Sequence, residues 1–202
     1  MSSAIKNIVF DMGMVLLKYE PLEYCLKTVN DPKAAKAIYE NLFCGNEWVQ
    51  VDSGVMTEAE CIASVQKRIP QYAELVAPVM ADWPASNSAM PGMEEFVGKL
   101  KDKGYGIYLL SNTSPRFYEF SKRYLVFRYF DGKIISATEK MVKPDPAIYR
   151  LLCSRFRLLP EECIFIDDVQ VNVDAARNIG MAAHQFKGTA ELSTYFTSIG
   201  LC

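Results

Sequence analysis

The chain has 202 residues, half of them hydrophobic, with 22 Lys and Arg against 24 Asp and Glu and a pI near 5.6. This length suits one domain with a smaller inserted one, and the balanced charge argues against partners such as nucleic acid or an anionic membrane. With no apolar run long enough to span a bilayer, no signal-peptide pattern and six cysteines that form no C-x-x-C pair, the chain is expected to be cytoplasmic, with reduced thiols.

The first predicted strand ends at an aspartate. Ile8, Val9 and Phe10 form a short apolar run, typical of a parallel strand that is covered on both faces. Asp11 follows at the strand end, where ligands bind in open parallel sheets, and Gly13 allows the backbone to approach a ligand closely. A carboxylate in such a place needs a cation, a donor or a substrate, although Asp11 as the cap of a turn explains the pattern equally well.

Residues 18–89 change to a helical pattern. Thr57 with Glu60 three residues later predicts a helix that starts near Glu58, and Asp52-Ser53-Gly54 is typical of a turn. We therefore predict a small helical bundle inserted after the first strand. The aromatic residues of this segment are interpreted as core rather than as a ligand platform; they are Tyr19, Tyr24, Phe43, Trp48 and Trp83.

A second strand, residues 107–110, follows a predicted helix whose apolar stripe runs from Met93 to Leu100. The strand leads into Ser111-Asn112-Thr113-Ser114-Pro115, where a further helix is expected to begin. Backbone N–H groups at such a helix start, together with the Ser111 hydroxyl, form a natural anion site. Helix capping by the same residues is the alternative, and the two roles are compatible.

A third strand is predicted at residues 133–136, and Lys143 follows it. Pro144 holds Lys143 in an extended conformation, directly before a predicted helix at residues 147–156. A single lysine is usually a solvated surface charge. A lysine held between a strand and a helix is a better candidate for a positioned positive charge.

The fourth predicted strand, residues 163–166, runs into Asp167 and Asp168. Two adjacent acids at a strand end repel each other unless a cation lies near them. A helix and a fifth strand at residues 182–186 follow. The single histidine, His184, lies inside that strand and away from the strand ends, which argues against histidine-based catalysis.

The polar residues that follow the predicted strands are expected to meet at one edge of a parallel sheet. Carboxylates and the backbone carbonyl of Gly13 are hard oxygen ligands that suit Mg²⁺, and Ser111 with Lys143 suits an anionic group facing the metal. Once cations offset the repulsion, Asp11 can attack phosphorus and form an aspartyl phosphate. The residues concerned are Asp11, Ser111, Lys143, Asp167 and Asp168.

Four motifs of the chain resemble those of the haloacid dehalogenase-like hydrolase superfamily, in the phosphatase branch that includes bacterial glucose-1-phosphate phosphatases. The resemblance covers essentially the whole chain. It implies an α/β fold, with a Rossmann-like three-layer core of parallel sheet and helices in residues 1–17 and 90–202 and a helical cap domain in residues 18–89. The motifs are Phe10-Asp11-Met12-Gly13, Leu110-Ser111-Asn112-Thr113, Val142-Lys143-Pro144 and Ile166-Asp167-Asp168.

The same resemblance assigns roles in phosphate chemistry. It implies that Asp11 is the nucleophile, that Ser111 and Asn112 hold the phosphate, and that Lys143 neutralises it. The implied substrate is a small phosphorylated metabolite, such as the sugar phosphate glucose 1-phosphate.

The resemblance also implies a magnesium site. Asp11, the Gly13 carbonyl and Asp168 would bind Mg²⁺ directly, and Asp167 would bind it directly or through water.

Gly13 departs from the pattern of most phosphatases in this superfamily, which carry a second aspartate there as the general acid and base. Such help is typically worth about 10²–10⁴-fold in rate. Three alternatives follow: a phosphatase that prefers easily leaving aryl or anomeric groups or takes its acid from the cap, a 2-haloacid dehalogenase, and a catalytically impaired binding protein.

Overall fold

A parallel five-stranded sheet forms the centre of the molecule, in a computed structural model that describes residues 4–201. The strand order is β5-β4-β1-β6-β7, so the chain moves outward from β1 to β5 and then crosses to the other side of β1. A short antiparallel pair, β2 with β3, lies apart from this sheet. The described strands are β1 (Asn7–Phe10), β2 (Leu17–Lys18), β3 (Ser88–Ala89), β4 (Gly106–Ser111), β5 (Gly132–Ile135), β6 (Cys163–Asp167) and β7 (Ala182–Gln185).

Both faces of the sheet are buried, which explains why its strands are continuous apolar runs. Ile8 and Phe10 of β1 point into one apolar cluster, and Val9 points into the other. The first cluster continues into the helices between β2 and β3, whereas the second packs under α9 and α10. The described helices are α1 (Pro21–Thr28), α2 (Pro32–Ile38), α3 (Asn46–Asp52), α4 (Glu58–Arg68), α5 (Ala73–Asp82), α6 (Met93–Asp102), α7 (Phe117–Phe120), α8 (Ser136–Glu139), α9 (Pro146–Phe156), α10 (Gln170–Asn178) and α11 (Thr189–Ser198).

The expected α/β fold is confirmed, and each of the five predicted strands is present within about two residues of its expected place. The start of α4 is confirmed in detail, since Thr57 and Glu60 form a reciprocal capping box. The helix expected after Ser111 is only the four-residue α7, because Ser114 to Arg116 first form a turn that accepts the N–H groups of Phe117 and Tyr118.

Helices α1 to α5 occupy the chain between β2 and β3. These two strands pair Leu17 with Ala89 and Lys18 with Ser88, so the segment leaves and rejoins the rest of the chain at one place. Its apolar residues share a continuous buried cluster with one face of the sheet. The division into a core of residues 1–17 and 90–202 and a cap of residues 18–89 stays a prediction.

Disulfides and membrane spans were also expected to be absent. The five described cysteines are free thiols, while Cys202 lies outside the described residues. Within residues 4–201 there is no helix whose length and apolar character would let it cross a membrane.

Candidate active site

Three strand ends bring the predicted site residues together. The Asp11 N–H donates to the Ile166 carbonyl at 2.9 Å, which places Asp11 level with Asp167 at the end of β6. Ser111 ends β4 on the other side of β1 and is almost fully buried. The expectation that these residues meet at the carboxyl edge of the sheet is correct, because parallel pairing in register aligns the strand ends.

Lys143 is the cation at the centre of this cluster. Its side chain is 1% exposed, and its Nζ lies 2.7 Å from Asp11 Oδ1 and 2.6 Å from Asp167 Oδ2. Burial alone would lower the pKa of Lys143, but the carboxylates of Asp11 and Asp167 outweigh burial and raise the pKa. Lys143 is therefore a positioned charge and not a solvated surface lysine.

Asn112 fixes the backbone of Lys143. The Asn112 Nδ2 donates to the Lys143 carbonyl at 2.9 Å, and the Lys143 N–H donates to Asn112 Oδ1 at 2.8 Å. Each end of the amide thus makes one contact with the Lys143 backbone, which uses one of the two hydrogens of Nδ2. The contact between Asn112 and a phosphate stays a prediction.

Asp167 is fully buried and surrounded by donors. Its Oδ1 accepts the Val169 N–H at 2.8 Å, and the Asn172 Nδ2 lies 3.1 Å from each carboxylate oxygen. Together with the ion pair to Lys143, these contacts satisfy both oxygens. The geometry makes Asp167 an anchor for Lys143 and favours a contact with a metal through water over a direct one.

Asp11, Asp167 and Asp168 form a compact acidic group, with one carboxylate oxygen from each lying within 4.8 Å of the others. Burial raises the pKa of Asp11 to about 7, with a further contribution from the Asp167 charge, although Lys143 opposes the shift. Burial and Asp167 also raise the pKa of Asp168. The site therefore holds more negative charge than Lys143 balances, and it could hold a divalent cation.

Gly13 lies beside Asp11 with open space around it. A Cβ built at Gly13 meets no atom within 4 Å, and the positive φ of this turn, 55°, falls on Met14. The position is thus neither crowded nor strained. A ligand could therefore occupy the space that a side chain would fill at this position.

A cavity of about 210 Å³ opens over these residues. Asp11, Gly13, Asn112 and Lys143 form its floor, and the helical segment contributes Tyr19, Trp48, Asp52 and Trp83 to its walls. Ser111 does not border this cavity, although the next residue does. His184 is also away from it, stacked on Tyr195 and 3.0 Å from Glu191.

The aromatic residues of the helical segment form a buried cluster, and three of them also face the cavity. The rings of Trp48 and Trp83 lie 5.2 Å apart, and those of Tyr19 and Trp83 lie 5.9 Å apart. The interpretation as core holds for Tyr24 and Phe43. The interpretation is incomplete for Tyr19, Trp48 and Trp83, which also border the cavity. Their spacing in the sequence does not show which side chains of the cluster face the edge of the sheet.

Asp52 is the site residue that sequence reasoning missed. It is the last residue of α3, and it borders the cavity. Burial raises its pKa to about 8, the Ser114 backbone N–H opposes this shift, and the charge of Asp11 adds to it. In the sequence Asp52 looks like an ordinary polar residue of a turn, so the only available signal was its acidic side chain.

Comparisons with known proteins agree with the geometry. A sequence model of the haloacid dehalogenase-like hydrolases matches residues 5–180. The sesquiterpene phosphatase astK of Aspergillus oryzae is 25% identical over 182 residues, which is 90% of this chain and 89% of that protein. A phosphorylated carbohydrates phosphatase of Thermotoga maritima is 26% identical over 184 residues, with 88% of this chain and 82% of that protein covered.

Solved structures share the fold at lower identity. A HAD family enzyme from Bacteroides thetaiotaomicron, in complex with magnesium and inorganic phosphate, superposes with a TM-score of 0.73 at 23% identity, covering 96% of this chain and all of that one. L-2-haloacid dehalogenase from Xanthobacter autotrophicus gives a TM-score of 0.69 at 15% identity, covering 97% of this chain and 83% of that one. At these identities the likeness establishes the fold.

Proposed function

Since the chain belongs to the haloacid dehalogenase-like hydrolase family, we propose that this enzyme hydrolyses small phosphate monoesters through an aspartyl phosphate on Asp11. One observation carries the proposal. The Asp11 carboxylate and the Lys143 ammonium are 2.7 Å apart on the floor of a cavity, so a nucleophile and a phosphate-neutralising cation face the same space.

The proposed cofactor is Mg²⁺, and the donor set fits it. Asp11 and Asp168 offer carboxylate oxygens, and Gly13, which borders the cavity, offers a backbone carbonyl. Burial is the largest cause of the raised pKa of both aspartates, and the charge of Asp167 adds to it; a hard divalent cation would stabilise both carboxylates. When bound, Mg²⁺ would supply the positive charge that lets a phosphate dianion approach the carboxylates. The solved relative with magnesium and phosphate supports the same choice.

In the proposed reaction, Lys143 binds a phosphate oxygen while an Asp11 oxygen attacks phosphorus from the opposite side to the leaving group. Asp167 and Asn112 keep Lys143 in place through the contacts described above. The leaving group occupies the cavity between Tyr19, Trp48 and Trp83. Water then hydrolyses the aspartyl phosphate and restores Asp11.

The substrate class is a small phosphorylated metabolite. The walls formed by the helical segment leave about 210 Å³, which suits a small ester better than a phosphoprotein. A sugar phosphate such as glucose 1-phosphate and an apolar phosphate are both compatible with this space, since the walls combine polar groups with aromatic rings. The two phosphatase relatives, one for phosphorylated carbohydrates and one for a sesquiterpene, represent these two kinds of substrate.

The test is a screen of phosphate esters with Mg²⁺ and with EDTA, including glucose 1-phosphate, glucose 6-phosphate, an isoprenyl monophosphate and a 2-haloacid. We expect Mg²⁺-dependent release of phosphate and its loss in Asp11→Asn, because an amide cannot form the aspartyl phosphate. Asp102→Asn, on the exposed end of α6, is the matched control and should retain full activity.

Three results would contradict the proposal. Turnover of the 2-haloacid in EDTA would indicate a dehalogenase. Binding of phosphate esters without release of phosphate would indicate an impaired binding protein. Substantial turnover by Asp11→Asn would exclude the covalent mechanism.

A further inference from the structure

The leaving group of a phosphate ester needs a proton, and Gly13 has no side chain to give one. An alkyl alkoxide is a poor leaving group, so a positioned acid is typically worth about 10²–10⁴-fold in rate. Of the two carboxyl groups among the described residues that border the cavity, Asp11 is already paired with Lys143. The other is Asp52, which the inserted helical segment contributes.

Asp52 is held firmly against the strand ends. The Ser136 hydroxyl accepts the Thr113 N–H at 2.8 Å and donates to the backbone carbonyl of Asp52. The Ser114 N–H donates to the Asp52 carboxyl. Next to it, Gly54 has a φ of 70° and lies so close to Ala137 that a Cβ would come within 2.1 Å of the Ala137 carbonyl oxygen. The carboxyl is thus fixed relative to the loop that follows β4, although it belongs to a helix of the inserted segment.

The surroundings of Asp52 favour a neutral carboxyl. It lies at the C-terminus of α3, where the helix dipole is unfavourable for an anion. The ion pairs of the described residues include none to Asp52. Burial, and after it the charge of Asp11, raise the pKa of Asp52 to about 8, although the Ser114 N–H opposes the shift, and this direction favours the protonated form.

A second polar group, the hydroxyl of Tyr19, belongs to a residue that borders the same cavity as Asp52. The Tyr19 hydroxyl is buried and makes no hydrogen bond within the described residues. Burial, and after it the charge of Asp52, raise the pKa of Tyr19, and both residues border the cavity. A buried hydroxyl without a partner indicates a position that a ligand oxygen completes.

We propose that Asp52 is the general acid and base of this enzyme, which takes over the task that Gly13 cannot perform. As Asp11 attacks phosphorus, the bond between phosphorus and the ester oxygen breaks, and that oxygen takes its electron pair and the Asp52 proton. The Asp52 carboxylate then takes a proton from water as the water oxygen attacks phosphorus, which releases phosphate and restores both aspartates. This inference rests on the proposed function.

The experiment compares two esters of similar size in the presence of Mg²⁺: p-nitrophenyl phosphate, whose phenolate leaves without a proton, and benzyl phosphate, whose alkoxide needs one. In Asp52→Asn, kcat/KM for benzyl phosphate should fall about 10²–10⁴-fold, whereas for p-nitrophenyl phosphate it should fall less than 10-fold. The parameter kcat/KM reports the first transfer to Asp11, which separates this step from the later attack of water. Asn keeps the shape of the side chain and an acceptor for the Ser114 N–H.

The second transfer gives an independent readout. Asp52→Asn should release about one nitrophenolate per active site in a rapid burst and then turn over slowly, because the base that activates water is missing. Asp82→Asn, an exposed aspartate on the same helical segment, is the matched control and should behave like the wild type.

Equal falls in kcat/KM for both esters in Asp52→Asn would overturn the proposal and leave the proposed function intact. The wild type provides a test that does not depend on the folding of a variant. Its kcat/KM values for the two esters should differ by less than about 100-fold. A preference of more than 10⁴-fold for p-nitrophenyl phosphate would overturn the proposal. If the wild type releases phosphate from neither ester, the proposed function itself is contradicted.

Discussion

Replacing Lys143 by methionine should show how strongly the buried charges depend on one another. Methionine keeps most of the volume of the side chain and removes the ammonium that lies 2.7 Å from Asp11 and 2.6 Å from Asp167. Both carboxylates then remain in a place where Lys143 is 1% exposed and Asp167 is fully buried. We expect a large loss of stability in the metal-free protein.

The size of the loss follows from the geometry. At an effective dielectric constant of about 20, each ion pair of this length contributes about 6 kcal/mol of Coulomb energy, much of which offsets desolvation. Removal of one partner from a buried pair typically costs about 3–5 kcal/mol. A domain of this size has about 5–15 kcal/mol of stability, so we expect a variant that is folded but melts roughly 6–20 °C lower.

The loss should also depend on pH. Without the ammonium, the pKa of Asp11, already raised by burial to about 7 from an ordinary value of 3.8, rises further. A carboxyl whose pKa is higher in the folded state adds stability below its unfolded pKa and loses it as the pH rises through the folded pKa. The difference between the wild type and Lys143→Met should therefore be larger at pH 8 than at pH 5.

Urea unfolding in EDTA at both pH values, followed by circular dichroism, measures the effect. Lys27→Met is the matched control, because Lys27 lies 2.6 Å from Glu23 in an ion pair whose side chains are 73% and 53% exposed. The free energy of unfolding of this control should be indistinguishable from that of the wild type. A change of less than about 1 kcal/mol in Lys143→Met at both pH values would refute the reasoning about buried charge.

Three further predictions concern the metal, the cavity wall and a surface ion pair. Asp168→Asn should raise the Mg²⁺ concentration for half-maximal activity by about 10- to 100-fold, and an unchanged requirement would remove Asp168 from the metal site. Trp48→Phe should raise KM for benzyl phosphate while the inhibition constant of inorganic phosphate stays constant, because Trp48 borders the cavity with an aromatic ring and carries no charge for the phosphate; equal changes in both constants would contradict this role. Hydrogen bonds from Arg155 hold the pKa of Glu139 below its ordinary 4.5, so the wild type loses this stability as the pH falls from about 4.5 through the folded pKa. Urea unfolding between pH 3 and 5 should show a weaker acid loss in Glu139→Gln, and identical slopes would show that the pair contributes nothing.

Much of the fold and the floor of the candidate site could be predicted from local sequence. Short apolar runs in β1, β4 and β6 identify strands covered on both faces, and the residue after each run lies at the carboxyl edge. Asp11 on the cavity floor was located in this way, and so were Ser111 and Asp167 at the same edge of the sheet. The rule works because parallel strands in register end at the same edge, whatever the details of packing.

The sequence alone did not show which of these residues contact one another through hydrogen bonds. The resemblance implied that Asn112 holds phosphate and that Asp167 binds metal directly or through water, and the structure adds that both side chains also hold Lys143 in place. Residue type and spacing give the same expectation for a group that binds a ligand and a group that positions one, since both are polar and lie at a strand end.

The positions of the residues on the cavity wall depend on the tertiary structure. Asp52, Trp48 and Trp83 lie dozens of residues from the nearest motif, on helices whose apolar spacing predicts burial without saying which neighbour each side chain meets. The place of Asp52 follows from how α3 packs against the loop after β4 and the start of α8, through contacts such as that of Ser136 with the Asp52 carbonyl. Local sequence determines where a strand or helix forms, whereas the group that faces Asp11 across a cavity is set by the packing of distant segments.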